Sequence, residues 1–330
     1  MISLPGPRVL VTGAGGFLGP EIVRQALECG CYVRALAHSR PVPAAAHERF
    51  AADLADERAL REAVDGVDVV IHAAGLAHVF GQRGYRTNSF RDVNVIGSLN
   101  LARAAAAART PHFVLVSSVS VYGPGATVRN EQVACAPDTP YGLSKLEAEH
   151  RIRELAREAD MRLTILRLAT IYGEGDPGNV SRLMRAIDRR RFVWVGDGQN
   201  RKSLIYRSDA GRACVVAAVA RNGPDAIFNV TAAPVLLADV VSTIADALGT
   251  HVPSVRIPRG IGRAGANVAR RLAPYSRNLA RAAHAVDKWL SDDDYDGREF
   301  EAVMKFRTAV SLTEGIRRQA DWYRRPERRR

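Results

Sequence analysis

Along the chain, short unbroken apolar runs alternate with stretches in which apolar residues recur every three or four positions. Arg8-Val9-Leu10-Val11-Thr12 predicts a short buried strand. Phe17 to Glu28 predicts a helix, with Phe17, Leu18, Ile22, Val23, Ala26 and Leu27 on helical spacing. Tyr32 to Ala37 follows as a strand, Asp56 to Val64 as a helix and Val67 to His72 as a further strand. An alanine-rich helix is expected around Arg86 to Arg109, and Leu115-Val116-Ser117-Ser118 ends the next apolar run in two hydroxyls. The alternation continues to about Tyr172. It predicts an α/β fold, a Rossmann-type doubly wound parallel sheet with helices on both faces. The pattern then loosens at Gly173, Gly175, Pro177 and Gly178, which predicts a smaller C-terminal lobe. Residues 1–172 are therefore expected as one domain and 173–330 mainly as the lobe. The chain is expected to re-enter the sheet near Ala226 to Val230, so that about 204–230 returns to the first domain.

Between the first strand and helix stands Thr12-Gly13-Ala14-Gly15-Gly16-Phe17-Leu18-Gly19. A tight strand-to-helix turn needs residues free of the Cβ penalty, and a pyrophosphate must lie against bare backbone. Gly13 serves the turn, Gly16 the close approach and Gly19 the packing of helix on strand, while Phe17 and Leu18 open the helix. The helix N-terminus offers free amides to phosphates. Strand, glycines, helix and second strand together predict a dinucleotide cofactor, NAD or NADP.

An NAD site usually ends its second strand in an acid that binds the adenosine ribose. Here the strand ends Leu36-Ala37-His38-Ser39-Arg40, with no carboxylate. His38 and Arg40 therefore border the ribose, and an arginine can pair with the 2′-phosphate of NADP. Alternatively, Arg40 begins a solvated loop. Asp53 and Leu54 fall where a second loop meets the adenine, although Asp53 also precedes a helix. Ala73-Ala74-Gly75 follow the next strand, where small residues let backbone pass close to the ribose phosphates. His72 reads as a packed group.

Tyr141-Gly142-Leu143-Ser144-Lys145 carries the chemistry. Residues four apart share a helical face, so Lys145 is expected beside Tyr141. A free tyrosine titrates near 10, too high for a base at neutral pH. A nearby ammonium and an oxidised nicotinamide both favour phenolate. Tyr141 is then expected to exchange a proton with a sugar hydroxyl, Lys145 to support it and hold the nicotinamide ribose, and Ser118 to bond the reacting oxygen.

With these motifs the chain resembles the extended short-chain dehydrogenase/reductases, the NAD-dependent epimerase/dehydratase family, and looks most like UDP-glucose 4-epimerases of bacterial surface-polysaccharide pathways. The resemblance rests on the glycine string, Ser117-Ser118-Val119-Ser120-Val121-Tyr122-Gly123, Pro140-Tyr141-Gly142-Leu143-Ser144-Lys145 and Leu166-Arg167 with Ile171-Tyr172-Gly173. It extends to Asp92-Val93-Asn94, Asn200-Arg201-Lys202 and Val310-Ser311-Leu312, and so to nearly the whole chain. It implies that Ser118, Tyr141 and Lys145 are the catalytic serine, tyrosine and lysine. It makes Asn94 a cofactor-side or helix-shaping residue. Asn179, with Arg201 or Lys202, would contact the diphosphate of a nucleotide-sugar substrate. A homodimer is also implied. Two departures are Ala37 in place of the acid and Ala77 where 4-epimerases carry a cofactor-facing lysine; both favour a reductase. The first expectation is a nucleotide-sugar C4 epimerase acting on a UDP-hexose or UDP-N-acetylhexosamine. The second is an NAD(P)H-dependent 4-keto-sugar reductase, and the third a non-catalytic cofactor-binding regulator or scaffold.

Composition changes this little. The 330 residues bury a core easily, and Cys29, Cys31, Cys135 and Cys214 form no zinc set, so no metal is expected. Reduced thiols and the lack of a visible signal peptide lead to a cytoplasmic expectation. No apolar run is long enough to span a bilayer, so no integral membrane segment is expected. The net charge of +12 draws on arginine clusters at Arg189-Arg190-Arg191, Arg270-Arg271 and the C-terminal tail. No aromatic platform accompanies them, so nucleic acid is not expected as a partner. Ile261 to Leu290 carries amphipathic helical patterns with basic residues, expected to line the substrate lobe or else to touch a membrane surface peripherally.

Overall fold

In the computed structural model β1 (Arg8–Thr12) lies inside a seven-stranded sheet, paired on one side with β2 (Tyr32–Ala37) and on the other with β4 (Val69–His72). The structure describes residues 6–77, 87–125, 128–220, 223, 225–252, 254–271, 276 and 290–325. β3 (Glu48–Ala51) forms one edge; β5 (His112–Ser118), β6 (Arg162–Leu168) and β11 (Ala226–Val230) extend the other. The order is β11-β6-β5-β4-β1-β2-β3, every pairing parallel. The strand order reverses between β1 and β4, and the crevice beyond their carboxyl ends is where such sheets hold ligands.

Alternate strand residues point to opposite faces, so each strand supplies two cores. Val9, Val11, Val33, Ile71, Val114 and Phe228 pack on one face against α1 (Gly19–Glu28) and α7 (Arg207–Val219). Leu10, Leu36, Val70, Phe113, Leu115 and Ile165 pack on the other with α2 (Glu57–Val64), α4 (Ser98–Ala107) and α5 (Pro140–Glu158). A third core joins α6 (Asn179–Asp188), α8 (Leu237–Leu248) and the closing helix Leu312–Arg324 through Leu183, Met184, Val241, Ile244 and Ile316. Short pairs decorate this lobe: β7 (Thr170–Tyr172) with β10 (Leu204–Tyr206), β9 (Arg201–Lys202) with β12 (Val235–Leu236), and β8 (Trp194–Val195) with β13 (Arg256–Ile257).

Several element boundaries differ from the sequence expectation; β4 begins at Val69 rather than Val67 and α4 ends at Ala107 rather than Arg109. α1 begins at Gly19 rather than Phe17, because residues 13–18 form the turn in which the Gly16 amide donates to the Gly13 carbonyl. Asp56 is not the first helical residue of α2 but its cap, accepting the Ala59 amide at 3.0 Å. The alanine-rich helix is interrupted: α3 (Thr87–Arg91) runs into a π-helical turn, Asp92–Gly97, before α4. Gly97 lets this turn press on Leu54, since a β-carbon there would lie 2.8 Å from Leu54 Cβ. Such π turns recur at functional sites because they re-aim one side chain out of helical phase.

Candidate active site

The crevice begins as bare backbone. Gly13 has φ +69°, and a β-carbon there would stand 2.7 Å from the Ala74 amide nitrogen. A β-carbon at Gly19 would meet the Gly13 carbonyl at 2.1 Å. The turn therefore exists only with glycine; the Ala14 amide donates to the Leu36 carbonyl and the Gly16 amide to the Gly13 carbonyl, which fixes the turn and sets the α1 N-terminus at the sheet's carboxyl edge. This cradle fits a dinucleotide pyrophosphate. Behind it Thr12 Oγ1 accepts from the Ala74 amide at 3.3 Å and meets His72 Nδ1 at 2.7 Å, while His72 Nε2 meets Ser98 Oγ at 2.8 Å. His72 is fully buried, and burial reinforced by the Lys145 charge pushes its imidazole down to about 3. It is a neutral strut tying the ends of β1 and β4, not a proton carrier.

At the rim, Ala37 is buried and offers no carboxylate. His38 and Asp53, both exposed, face each other at 3.2 Å, and Asp53 also accepts the Ala55 amide at 2.9 Å. Arg40 is exposed, and its backbone crosses the glycine turn so closely that a Gly15 β-carbon would stand 3.0 Å from the Arg40 carbonyl oxygen and 2.9 Å from that of Pro41. Leu54 is buried beneath, against Gly97. Ala73, Ala74 and Gly75 leave β4 half-exposed or exposed beside the cradle. Asn94, buried on the π turn, brackets Leu76: Oδ1 accepts its amide at 2.8 Å and Nδ2 donates to its carbonyl at 3.0 Å. The same Nδ2 donates to Ser144 Oγ at 3.0 Å, and Ser144 donates to the Tyr141 carbonyl at 2.8 Å. Asn94 thus fixes the β4 exit loop to the first turn of α5.

That first turn holds the reactive group. α5 starts from Thr139, whose hydroxyl accepts the Gly142 amide at 3.1 Å, and Pro140 presets the helical φ. Tyr141 is half-buried, its ring 6.2 Å from Phe90, and its phenol lies within interaction reach of the Ser118 hydroxyl, which itself donates to Ser120 Oγ at 3.1 Å. Strand alternation turns Ser117 the other way, into the core, where it donates to Glu149. Burial raises the Tyr141 phenol above its ordinary value, and the Ser118 hydroxyl opposes this. In this structure burial outweighs the lowering expected from the neighbouring ammonium.

Lys145 is buried one turn on and donates to the Val116 carbonyl at 2.6 Å. Burial pushes its ammonium down to about 8, with the Glu149 carboxylate opposing. An unfolded lysine titrates near 10.5. Below about pH 8 both states are protonated and the native state bears the full cost of burying the charge; between about 8 and 10.5 the native state gives up its proton first. Stability therefore rises with pH across that window relative to Lys145→Met, which has no such proton. Denaturation midpoints of both proteins from neutral pH to about 10 check this; equal slopes contradict it.

Glu149, one turn beyond Lys145, is fully buried and paired with Arg167 of β6 at 2.7 Å. Arg167 donates to Tyr122 Oη at 3.0 Å, and Tyr122 donates to Asn229 of β11 at 2.8 Å. Asn229 donates in turn to the carbonyls of Arg129 and Asp296. A buried polar chain thus runs from the Lys145 helix across the sheet to the lobe. Glu149 and Asn229 were not singled out from sequence. The signal for Glu149 was its i+4 position after Lys145, and Arg167 and Tyr122 lay inside quoted motifs without a role.

The residues expected at a substrate diphosphate are engaged otherwise. Lys202 is buried and pairs with Asp293 at 3.0 Å, donating also to the Ser291 carbonyl at 2.7 Å. Arg201 is exposed and pairs with Asp294 at 2.7 Å. Both hold the segment 291–296 against β9. Asn179 is the first residue of α6 and accepts from Arg182 at 3.5 Å. The positions Arg277, Arg281, His284 and Lys288 and the arginines of the tail beyond residue 325 lie outside the described residues.

A parallel sheet with a glycine cradle at its switch point, and a serine–tyrosine pair one turn from a buried lysine, define a nicotinamide-dependent oxidoreductase of the extended short-chain type. The model of the NAD dependent epimerase/dehydratase family matches residues 9–231, and the chain belongs to that family. A relative from Escherichia coli O157:H7, N-acetyl-alpha-D-glucosaminyl-diphospho-ditrans,octacis-undecaprenol 4-epimerase, is 27% identical over 318 residues, 94% of this chain and 93% of that protein. The 2-alkyl-3-oxoalkanoate reductase of Stenotrophomonas maltophilia (strain K279a) is 33% identical over 214 residues, 62% of this chain and 63% of that protein. The structure of MoeE5 in complex with UDP-glucose and NAD superposes with a TM-score of 0.75 at 28% identity, covering 96% of this chain and 98% of that one.

Proposed function

We propose that this chain is a nucleotide-sugar C4 epimerase, acting on a UDP-hexose or UDP-N-acetylhexosamine in the synthesis of surface-polysaccharide precursors. The observation that carries the reading is the Ser118–Tyr141 hydroxyl pair, one turn from the buried Lys145, at the mouth of the glycine cradle. A nicotinamide dinucleotide held by the Gly13–Gly19 turn would supply one thing, an acceptor and then a donor for the C4 hydride. The chain does the rest. Tyr141 Oη accepts the C4 hydroxyl proton, and Ser118 holds the same oxygen while it becomes a carbonyl. The Lys145 ammonium favours the phenolate that Tyr141 must present. Once the 4-keto sugar has turned its other face to the cofactor, Tyr141 returns the proton, so the net change is inversion at C4 alone. Cradle, Asn94 and the β4 exit loop orient the reactants, which removes much of the entropic barrier.

Support comes from two relatives in turn: the E. coli protein is a sugar 4-epimerase, and MoeE5 holds UDP-glucose with NAD. Arg201, Lys202 and Asn179 remain our candidates for the diphosphate, with Asp293 and Asp294 as the carboxylates that a diphosphate must displace. Our candidate surface for a homodimer is the face of α5 where Leu143 is exposed; Ile96, also exposed, lies on the π turn that packs against α5.

One observation favours a second reading, a 4-keto-sugar reductase. Ala37 stands where an acid would hold the ribose of NAD, and Arg40 lies across the glycine turn, where its guanidinium can meet a 2′-phosphate. The Stenotrophomonas relative is a reductase. Purification without added cofactor, followed by denaturation and chromatography of the released nucleotide, separates the two. The epimerase retains near-stoichiometric NAD. An empty protein that binds NADPH more tightly than NADH contradicts it and establishes the reductase.

A further inference from the structure

Arg207 stands beside the glycine turn, as the first residue of α7. α7 lies alongside α1, and a β-carbon at Gly211 would stand 2.7 Å from Glu21 Cγ, so the two helices run side by side from their first turns. One turn before Gly211 is Arg207, and one turn before Glu21 is Phe17 of the glycine string. The Arg207 guanidinium accordingly lies over the Phe17 ring, 5.3 Å from its centroid. Its aliphatic stem rests on Gly173, where a β-carbon would stand 2.8 Å from Arg207 Cγ. Gly173 is the residue that follows β7, so Arg207 is set between the α1 N-terminus and the chain leaving that strand.

Only part of this guanidinium is engaged. Nη1 donates to the Glu174 carbonyl at 2.6 Å, which holds the group against the Phe17 ring. Nε is buried and has no hydrogen-bond partner. Among the described residues Nη2 makes no hydrogen bond and Arg207 forms no ion pair. The carboxylates nearby are committed elsewhere: Glu174 accepts from the Tyr206 hydroxyl at 2.6 Å, and Glu21 is held by Arg24 and Gln25. A buried donor without a partner is rare in a native fold and calls for an acceptor. The free edge, Nε with Nη2, is the fork that takes two oxygens of one phosphate.

We propose that Arg207 is a further cofactor-binding residue, whose Nε–Nη2 edge holds the dinucleotide pyrophosphate cradled by the Gly13–Gly19 turn. Position selects this anion, because Phe17 belongs to the turn that delivers the chain into α1. A helix N-terminus contributes roughly half a positive charge. A pyrophosphate is doubly anionic, so a guanidinium at that mouth supplies what the backbone lacks. Glu174 and Phe17 fix its plane beforehand, which lowers the ordering cost of binding. Only the cofactor is engaged, so a 4-keto-sugar reductase would use Arg207 equally, and failure of this assignment leaves the C4 reading untouched.

The test is titration of the full chain, stripped of nucleotide on charcoal, with NADH by its fluorescence and with UDP by calorimetry, each at low and high salt. For nucleotide that charcoal does not remove, its rate of loss on dialysis reads the same contrast. Arg207→Met should weaken NADH binding about ten- to a hundredfold, the worth of a charge-assisted hydrogen-bonded contact, and should flatten its salt dependence. UDP binding should not change. Methionine keeps the aliphatic stem on Gly173 and removes the orphaned Nε, so the thermal midpoint of the nucleotide-free protein should hold. Arg207→Lys keeps the charge without the fork and should fall between the two. Unchanged NADH affinity in Arg207→Met overturns the proposal. So does an equal loss in both variants with the salt dependence of the parent, which would make Arg207 a support for the Phe17 turn alone. Weaker UDP binding with NADH binding intact assigns the residue to the substrate diphosphate and overturns it as well.

Discussion

Tyr141→Phe should lower kcat by about two to four orders of magnitude, the contribution usual for a positioned proton-transfer group. On the proposed reading the phenol exchanges the substrate proton, and the Ser118 hydroxyl lies beside it. Phenylalanine keeps the ring contact with Phe90, so the first turn of α5 and its ties to Asn94 through Ser144 survive. Stability should change by no more than about 1 kcal/mol, the net worth of one hydrogen bond. NAD(H) affinity should hold within a few-fold, because the cradle is built from Gly13, Gly16 and Gly19 on the far side of the crevice. Steady-state rates and cofactor titration on the same preparation check both halves. A variant that keeps more than a tenth of the activity removes Tyr141 from the reaction.

The largest stability effect is expected at Glu149, midway along the same helix. Arg167→Met leaves the Glu149 carboxylate buried without its guanidinium, a change that typically costs about 3–5 kcal/mol. Replacing both partners, as in Glu149→Leu with Arg167→Met, removes the stranded charge and should recover most of that loss. Denaturant midpoints for the single and double variants decide the matter. If the single substitution costs less than about 1 kcal/mol, the pair does not lock α5 to β6 as described. The double variant should nonetheless lose activity: the carboxylate that supports the Lys145 ammonium is gone, and Lys145 is pushed down further. Stability and turnover are therefore expected to separate at this pair.

Much of the fold was legible because it depends on short-range pattern. Continuous apolar strands such as Val9 to Val11 are buried on both faces, and helical spacing marked α1 and α2. Their boundaries were less legible. Phe17 and Leu18 continue the helical spacing of α1, but the glycine turn takes them, and Asp56 looked helical while serving as a cap. The π turn at Asp92–Gly97 left no periodic mark, since one inserted residue shifts the phase only locally.

At the site, the glycines and the Tyr141–Lys145 pair were readable because sequence spacing alone brings each set together. Spacing did not show that the Lys145 side chain reaches the Val116 carbonyl, nor that burial outweighs its influence on the phenol. The Glu149–Arg167–Tyr122–Asn229 chain joins four elements distant in sequence, and only the sheet order β11-β6-β5 brings them side by side. Lys202 looked like a phosphate ligand because its partner Asp293 arrives from 91 positions downstream.

The central claim is that Tyr141 and its neighbours run a reversible oxidation at C4 and restore the same hydrogen to the opposite face. It is tested most directly with UDP-hexose deuterated at C4, incubated with the purified enzyme in ordinary water. The account predicts an epimerised product that keeps its deuterium at C4. Deuterium recovered in released nicotinamide, or an epimer carrying solvent hydrogen at C4, would contradict it.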